Sequence, residues 1–193
     1  MNPDINKISK KLQKELDAER YRHTIGVMYT AASLAMCHGE NMEHALLAGL
    51  LHDCAKCIPG HQKIKLCRKY QLEVSEVEEK NPSLLHAKLG AYLAANKYGI
   101  TNQNILNAIN SHTTGRPEMS LLEKILYVAD YMEPGRTELP NMSEVRRLAF
   151  QNINDCLYRI LEDSLAYLRS RDLPIDIMTE KTYLYYKKKL GKQ

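Results

Sequence analysis

The chain lacks most of what would mark a sheet protein, a membrane span or a disulfide scaffold. No long stretch alternates β-branched with polar residues, which excludes a run of half-buried strands. No glycine-rich phosphate loop occurs, so a nucleotide would have to be held by other means. The longest apolar run, Ala45 to Leu51, stops at His52-Asp53 and is far short of the roughly 20 residues needed to cross a bilayer. The opening MNPDINKISKKLQKELDAERYRH has basic residues with no apolar stretch behind them, unlike a secretory signal. These absences lead us to expect a soluble, cytoplasmic protein. Internal repeats, low-complexity tracts and domain linkers are also missing. With 193 residues, a single domain spanning 1–193 is expected.

Five cysteines, Cys37, Cys54, Cys57, Cys67 and Cys156, are an odd number for a disulfide framework. Cys54-Ala-Lys-Cys57 has the C-x-x-C spacing, but no second pair completes a zinc site and no strand leads into it. Neither a zinc site nor a redox pair is expected here, and a packing role is expected for Cys54. The net charge of +4 is too small to imply a nucleic-acid surface, though it would favour a small polyanion.

What is present reads as helix almost throughout, so the fold class expected is all-α. Apolar residues make up 44% of the chain, enough for a sizeable core. Ile8, Leu12, Leu16 and Glu19 suggest a first short amphipathic helix. His23 opens a second, rich in alanine, which Gly39 should stop. NMEHALLAGLLHDCAK is apolar nearly all round and should be central and buried. Pro59-Gly60 breaks the chain, and a short amphipathic piece follows from Ile64 to Tyr70. Asn81 and Pro82 suit the start of the helix carrying His86, with Gly99 ending it. QNILNAINSH should end at Thr113-Thr114-Gly115, and Ser120 should cap a helix holding Asp130. SEVRRLAFQNINDCLYRILEDSLAYLRSR reads as one long amphipathic helix. From Leu173 onward the pattern fits helix or extended chain.

Several polar residues interrupt apolar helices. His52-Asp53 follows Ala-Leu-Leu-Ala-Gly-Leu-Leu, and Asp130 follows Ile-Leu-Tyr-Val-Ala. Burying such groups unpaired is costly. A metal ion would offset that cost, and imidazole with carboxylate is a good ligand set for a first-row transition metal. The ordered set His23, His52, Asp53 and Asp130 on successive helices therefore reads as a metal site. His86 and His112 lie between the His-Asp pair and the last Asp. They fit a second metal, a phosphate contact or a general acid. Lys56 and Arg136 are candidates to balance phosphate charge. His38, His44 and His61, near turns or helix starts, are expected to face solvent.

In these residues the chain resembles the HD-domain superfamily of metal-dependent phosphohydrolases, from about Glu19 to Asp130, with a core motif region over about 19–136. The stretches RYRHTIGV, AGLLHDCAK, LLHAKLGA, NAINSHTTGRP and ILYVADYMEPGR are most similar to the bacterial YqeK-type symmetrical diadenosine tetraphosphatases. The resemblance implies a compact helical homodimer that carries iron and binds a nucleoside diphosphate. It also implies metal-dependent cleavage of dinucleoside tetraphosphates at the middle, giving two nucleoside diphosphates. Carried over by position, His23, His52, Asp53 and Asp130 match the metal ligands. Arg20, His23, Asp53, Cys54, Ala55, Lys56, His86, His112, Asp130 and Arg136 match positions near the nucleotide. Asp53, Lys56, His86 and His112 would carry the catalytic roles. The tail departs from the family, with Asp176-Ile177 where an aromatic or His and a Pro are usual. The alternatives are a relative that acts on a nucleotide monophosphate or cyclic nucleotide, and a di-metal oxygenase of the same superfamily.

Overall fold

A computed structural model describes residues 3–136, 139 and 141–192. Among these residues it shows eleven helices and no strand, as the sequence pattern requires. The first helix, α1 (Ile5–Glu15), buries Ile8 and Leu12, and Leu16 follows as a buried cap residue. Glu19 belongs instead to α2 (Ala18–His38). That helix starts a turn earlier than His23, because the Asp17 side chain accepts from the Arg20 N–H and caps it. His23 thus lies one turn inside the helix. Gly39 ends α2 in the left-handed region, with φ at 75°.

The buried centre is α3 (Met42–Leu51), packed most extensively against α2. Leu50 and Leu51 are fully buried, each stabilising the fold by about 1.5–3 kcal/mol. Gly49 makes the α2–α3 crossing possible, since a Cβ there would lie 2.7 Å from the Met28 Cα. The close crossing brings His23 on α2 near His52 at the end of α3. Four further helices follow: α4 (Gly60–Lys69), α5 (Glu76–Lys80), α6 (Leu85–Asn96) and α7 (Gln103–Ser111). Asn81 does not cap α6. Ser75 and Glu78 form a capping box that nucleates the short α5, and Asn81 becomes its C-cap. The next, α8 (Leu121–Met132), is capped by Ser120 and Glu123, as expected.

The long C-terminal amphipathic pattern is two helices, α9 (Met142–Gln151) and α10 (Ile153–Ser170). Asn152 leaves helical geometry at φ −151°, and its side chain accepts from the N–H groups of Asn154 and Asp155, capping α10. The tail settles as helix α11 (Ile177–Lys189), pinned where the buried Tyr186 hydroxyl accepts from the Met119 N–H. Among the described residues, no helix is long and apolar enough to cross a membrane.

Candidate metal centre

Five helices and their ends deliver the polar residues to one place. His23 comes from α2, His52 and Asp53 from the end of α3, His86 from the first turn of α6, His112 from the cap of α7, and Asp130 from the last turn of α8. The rings of His23 and His52 are 5.3 Å apart, those of His52 and His112 5.1 Å, and those of His86 and His112 5.0 Å.

Each of these four imidazoles has its Nδ1 tied to an acceptor. His52 donates to the Gly49 carbonyl at 2.7 Å, His112 to the Ile109 carbonyl at 2.7 Å, and His86 to the Ser83 carbonyl. His23 donates to the Glu133 carboxylate at 3.0 Å. A carbonyl or carboxylate only accepts, so each Nδ1 carries the proton and each Nε2 presents a lone pair; those of His23 and His52 have no hydrogen-bond donor among the described residues and can serve as ligands. Those lone pairs converge. His23 Nε2 lies 3.0 Å from Asp130 Oδ1, and His52 Nε2 lies 3.8 Å from the same oxygen. His86 Nε2 is 3.1 Å from Asp53 Oδ1, with His112 Nε2 at 3.8 Å.

Buried polar atoms normally find partners. Here His23 Nε2, His52 Nε2 and Asp53 Oδ1 have none among the described residues. Two ligand groups stand out, His23 with His52 and Asp130, and His52 with Asp53 and His112. Within each group the atoms lie within 4.8 Å of one another. Unpaired, inward-facing nitrogen and carboxylate oxygen donors fit a divalent metal. His52 is fully buried and Asp53 is 2% exposed, so an uncompensated arrangement of this kind would be costly.

The electrostatics agree. Burial alone would raise the Asp130 carboxyl, but the His23 imidazole, His52, His112 and Arg136 outweigh it and hold it well below the usual carboxylate range. Asp53 is likewise held low against the effect of burial, by His52, His112 and His86. His86 moves the other way. Burial pushes it down to about 4, only partly offset by Asp53, so it is neutral near pH 7. Lys56 is lowered by burial, and its Nζ donates to His86 Nε2 at 3.2 Å. Two arginines hold the carboxylates from outside. Arg20 Nη1 donates to Asp53 Oδ2 at 2.7 Å, and Arg136 Nη2 donates to Asp130 Oδ1 at 2.6 Å.

Arg20, His23, His52, Asp53, Lys56, His86, His112, Asp130 and Arg136 thus all meet at one centre. Cys54 and Ala55 have side chains turned away from it. The Cys54 thiol donates to the Gly90 carbonyl at 3.5 Å, and burial pushes its pKa up to about 12, which leaves it inert. Ala55 packs with Cys67, Leu85 and Leu89. Only their backbones are left to meet a ligand. Of the three histidines expected to face solvent, only His61 is exposed. His38 Nε2 donates to the Ala149 carbonyl at 2.6 Å, and the Asn102 amide donates to His44 Nε2 at 3.0 Å, which leaves both half-buried.

Two residues of the centre escape a reading of motif order. Glu133, 3% exposed, holds His23 with Oε1 and the Gly135 N–H with Oε2, the latter at 2.6 Å. Its signal was Gly26 inside α2, where a Cβ would lie 2.3 Å from Glu133 Oε2. Lys63 donates to the Lys56 carbonyl at 3.0 Å and holds the turn that presents Lys56.

The HD domain family matches the chain over residues 20–135, and the chain belongs to that family. It is similar to a protein of Bacillus subtilis named as a symmetrical bis(5'-nucleosyl)-tetraphosphatase, with 38% identity over 172 residues, covering 89% of this chain and 91% of that one. A Staphylococcus aureus protein of the same name is 30% identical over 185 residues, covering 95% and 94%. A crystal structure from Clostridium acetobutylicum, described as a predicted HD superfamily hydrolase involved in NAD metabolism, superposes with a TM-score of 0.93. It is 39% identical, and the match covers 96% of this chain and 98% of that one.

Proposed function

We propose that this protein is a metal-dependent hydrolase that cleaves dinucleoside tetraphosphates symmetrically, turning diadenosine tetraphosphate into two molecules of adenosine diphosphate. The observation that carries the reading is the set of inward-facing, unpaired ligand atoms on His23, His52 and Asp53. They stand in a chain similar over nearly all its length to relatives bearing that name.

His23, His52, Asp53 and Asp130 would hold the metal. Iron is the metal we propose. When bound, such a metal supplies Lewis acidity toward a phosphoryl oxygen and lowers the pKa of water from about 15.7 toward about 7. The chain's own groups do the rest. Glu133 keeps the His23 ring in the orientation that presents Nε2. Lys56 and Arg136 offset the charge that grows on the phosphates. Neutral His86 accepts from Lys56, which holds the ammonium beside Asp53. His112, once protonated on the inward-facing Nε2, would contact a phosphate oxygen or pass that proton to the departing nucleoside diphosphate, and Arg20 would steady Asp53. The nucleoside diphosphate is a stable leaving group, so gripping one diphosphate half places the attacked phosphorus at the middle of the chain. Such positioning can account for roughly 7–11 kcal/mol of a barrier.

We further propose that the chain works as a single domain in the cytoplasm and as a homodimer. Exposed Tyr29 and Met36 on α2 and Phe150 on α9 offer apolar surface in support of pairing.

The test is incubation with diadenosine tetraphosphate and ferrous iron, followed by chromatography. Adenosine diphosphate as sole product is expected, with added chelator abolishing it. Triphosphate plus monophosphate, or an inert tetraphosphate beside a hydrolysed monophosphate, would overturn the reading.

A further inference from the structure

On α4, Lys63 and Cys67 are the buried residues, one turn apart, and Cys67 packs with Ala55, Leu85 and Leu89. That spacing belongs to a core-facing stripe, where an apolar residue is the ordinary choice. Lysine is the odd occupant. It is only 5% exposed, and its ammonium makes no ion pair among the described residues. Its one hydrogen bond there runs from Nζ to the Lys56 carbonyl at 3.0 Å. Burial and the nearby Lys56 ammonium pull its pKa below the ordinary value, with Asp53 leaning the other way. A single bond to a neutral oxygen does not offset taking an ammonium out of water. Stability therefore gives no reason for lysine over methionine at this place.

The carbonyl that Lys63 holds is one the backbone leaves unpaired. After His52 the chain descends through tight turns, in which the Leu51, Asp53 and Ala55 carbonyls accept from the N–H groups of Cys54, Lys56 and Ile58. No backbone N–H among the described residues donates to the Lys56 carbonyl. Lys63 supplies that donor and ties the turn to the start of α4. The next residue along, Cys57, is exposed, and its thiol, a weak donor, reaches the Asp17 carboxylate at 3.3 Å. The Lys63 bond is thus the buried anchor of the segment that runs from His52 and Asp53 to Lys56. A lysine stem is flexible, so its aim depends on where its main chain is held. From this root the Lys56 Nζ donates to His86 Nε2 at 3.2 Å.

We propose that Lys63 is a positioning residue: it fixes the Lys56 main chain, and through it the place of the Lys56 ammonium against the phosphates at the metal centre. It touches no reacting group itself. This role rests on the proposed reaction and adds to it a residue that stands outside the ordered set of histidines and aspartates. Its consequence is a separation of effects. Replacing Lys63 with an apolar residue of similar length costs turnover and not stability.

The test is a cycle of Lys63→Met, Lys56→Met and the double variant, assayed as metal-loaded protein with diadenosine tetraphosphate. Lys63→Met should lower kcat by about tenfold to a hundredfold, since a misplacement of about 1 Å can cost that much. KM should stay within about threefold. Tm should equal or exceed that of wild type, and bound metal should not change. In the Lys56→Met background the same substitution should lower kcat by less than about twofold, because the group that Lys63 positions is gone. Lys63→Gln, whose side chain is shorter and uncharged, should repeat the pattern, so the outcome does not hang on one variant folding. An unchanged kcat in both Lys63 variants would overturn the role and leave the reaction standing. Equal losses in the two backgrounds would overturn it as well, since they would mark an effect independent of Lys56. So would a loss of kcat that follows a loss of Tm, which is the mark of a packing residue, or a rise in KM alone. A wild-type protein inert toward diadenosine tetraphosphate would overturn the reaction and the role together.

Discussion

Glu123 and Asp53 are both carboxylates with almost no exposure, 1% and 2%, yet the fold treats them in opposite ways. Glu123 accepts from Arg116 Nε and Nη2, both at 2.6 Å, from the Ser111 hydroxyl at 3.0 Å and from the Ser120 N–H at 2.7 Å. Both its oxygens are fully engaged. Asp53 takes one arginine contact on Oδ2, while Oδ1 has no hydrogen bond among the described residues and faces two imidazole nitrogens. The same chain can therefore satisfy a buried carboxylate completely and does so where the carboxylate only holds structure. The unsatisfied oxygen at Asp53 is suited to a cation, and the cost of leaving it without a hydrogen bond sits with function.

The sharpest way to break that contrast is Asp53→Ala. Losing a ligand should exceed the roughly 10–100-fold effect of losing a residue that merely orients one, so kcat/KM should fall by more than about 100-fold. Bound metal, read by elemental analysis, should fall with it. Far-UV circular dichroism should not change, because no completed network is lost and Arg20, 28% exposed, returns to water. Full metal content in the variant would end the distinction between the two carboxylates. Glu133→Gln asks for an intermediate effect. Glu133 accepts with both oxygens, from His23 Nδ1 and from the Gly135 N–H, whereas glutamine can accept with only one. Metal affinity, measured by chelator competition, should drop about 10–100-fold, with activity recovered by excess metal. Wild-type affinity would make Glu133 a purely structural group.

The same contrast explains what could be read before the structure. His52, Asp53 and Asp130 were legible because each ends an apolar run, where buried polarity carries its own warning, and His23 because it stands ahead of them on the preceding helix in a fixed order. Glu133 was not, since it follows the helix end and looks like any loop acid. Only Gly26, at a helix position that favours a larger residue, pointed to something pressed against α2. Most helices were legible from period and caps, but boundaries went wrong where two caps competed. Asp17 started α2 ahead of His23, Ser75 with Glu78 made α5 and turned Asn81 into an end, and Asn152 split a continuous amphipathic pattern. Local side-chain hydrogen bonds decided each case, and hydrophobic period does not report them.

The smallest expected effect falls on the satisfied carboxylate, and it concerns stability alone. Glu123→Ala removes every partner of a buried network, but Arg116 is 41% exposed and can rehydrate, so the loss should be about 2 kcal/mol, at the low side for a broken buried pair. Urea denaturation should show it, with metal content unchanged. Its pH dependence has a definite sign. Burial raises the Glu123 carboxyl, but the Arg116 guanidinium, the Ser120 N–H and the Ser111 hydroxyl outweigh burial and leave it below the ordinary value of 4.5. A carboxyl lower in the folded state than in the unfolded one contributes stability that is fully present above the unfolded value. That contribution is lost as pH falls through the folded value. The stability gap between wild type and Glu123→Gln should therefore hold steady from pH 7 to pH 5 and narrow below about 4.5. A gap that widens on acidification would show that Glu123 is not held ionised by its partners. Loss of metal in either Glu123 variant would show that the satisfied and unsatisfied carboxylates belong to one coupled network.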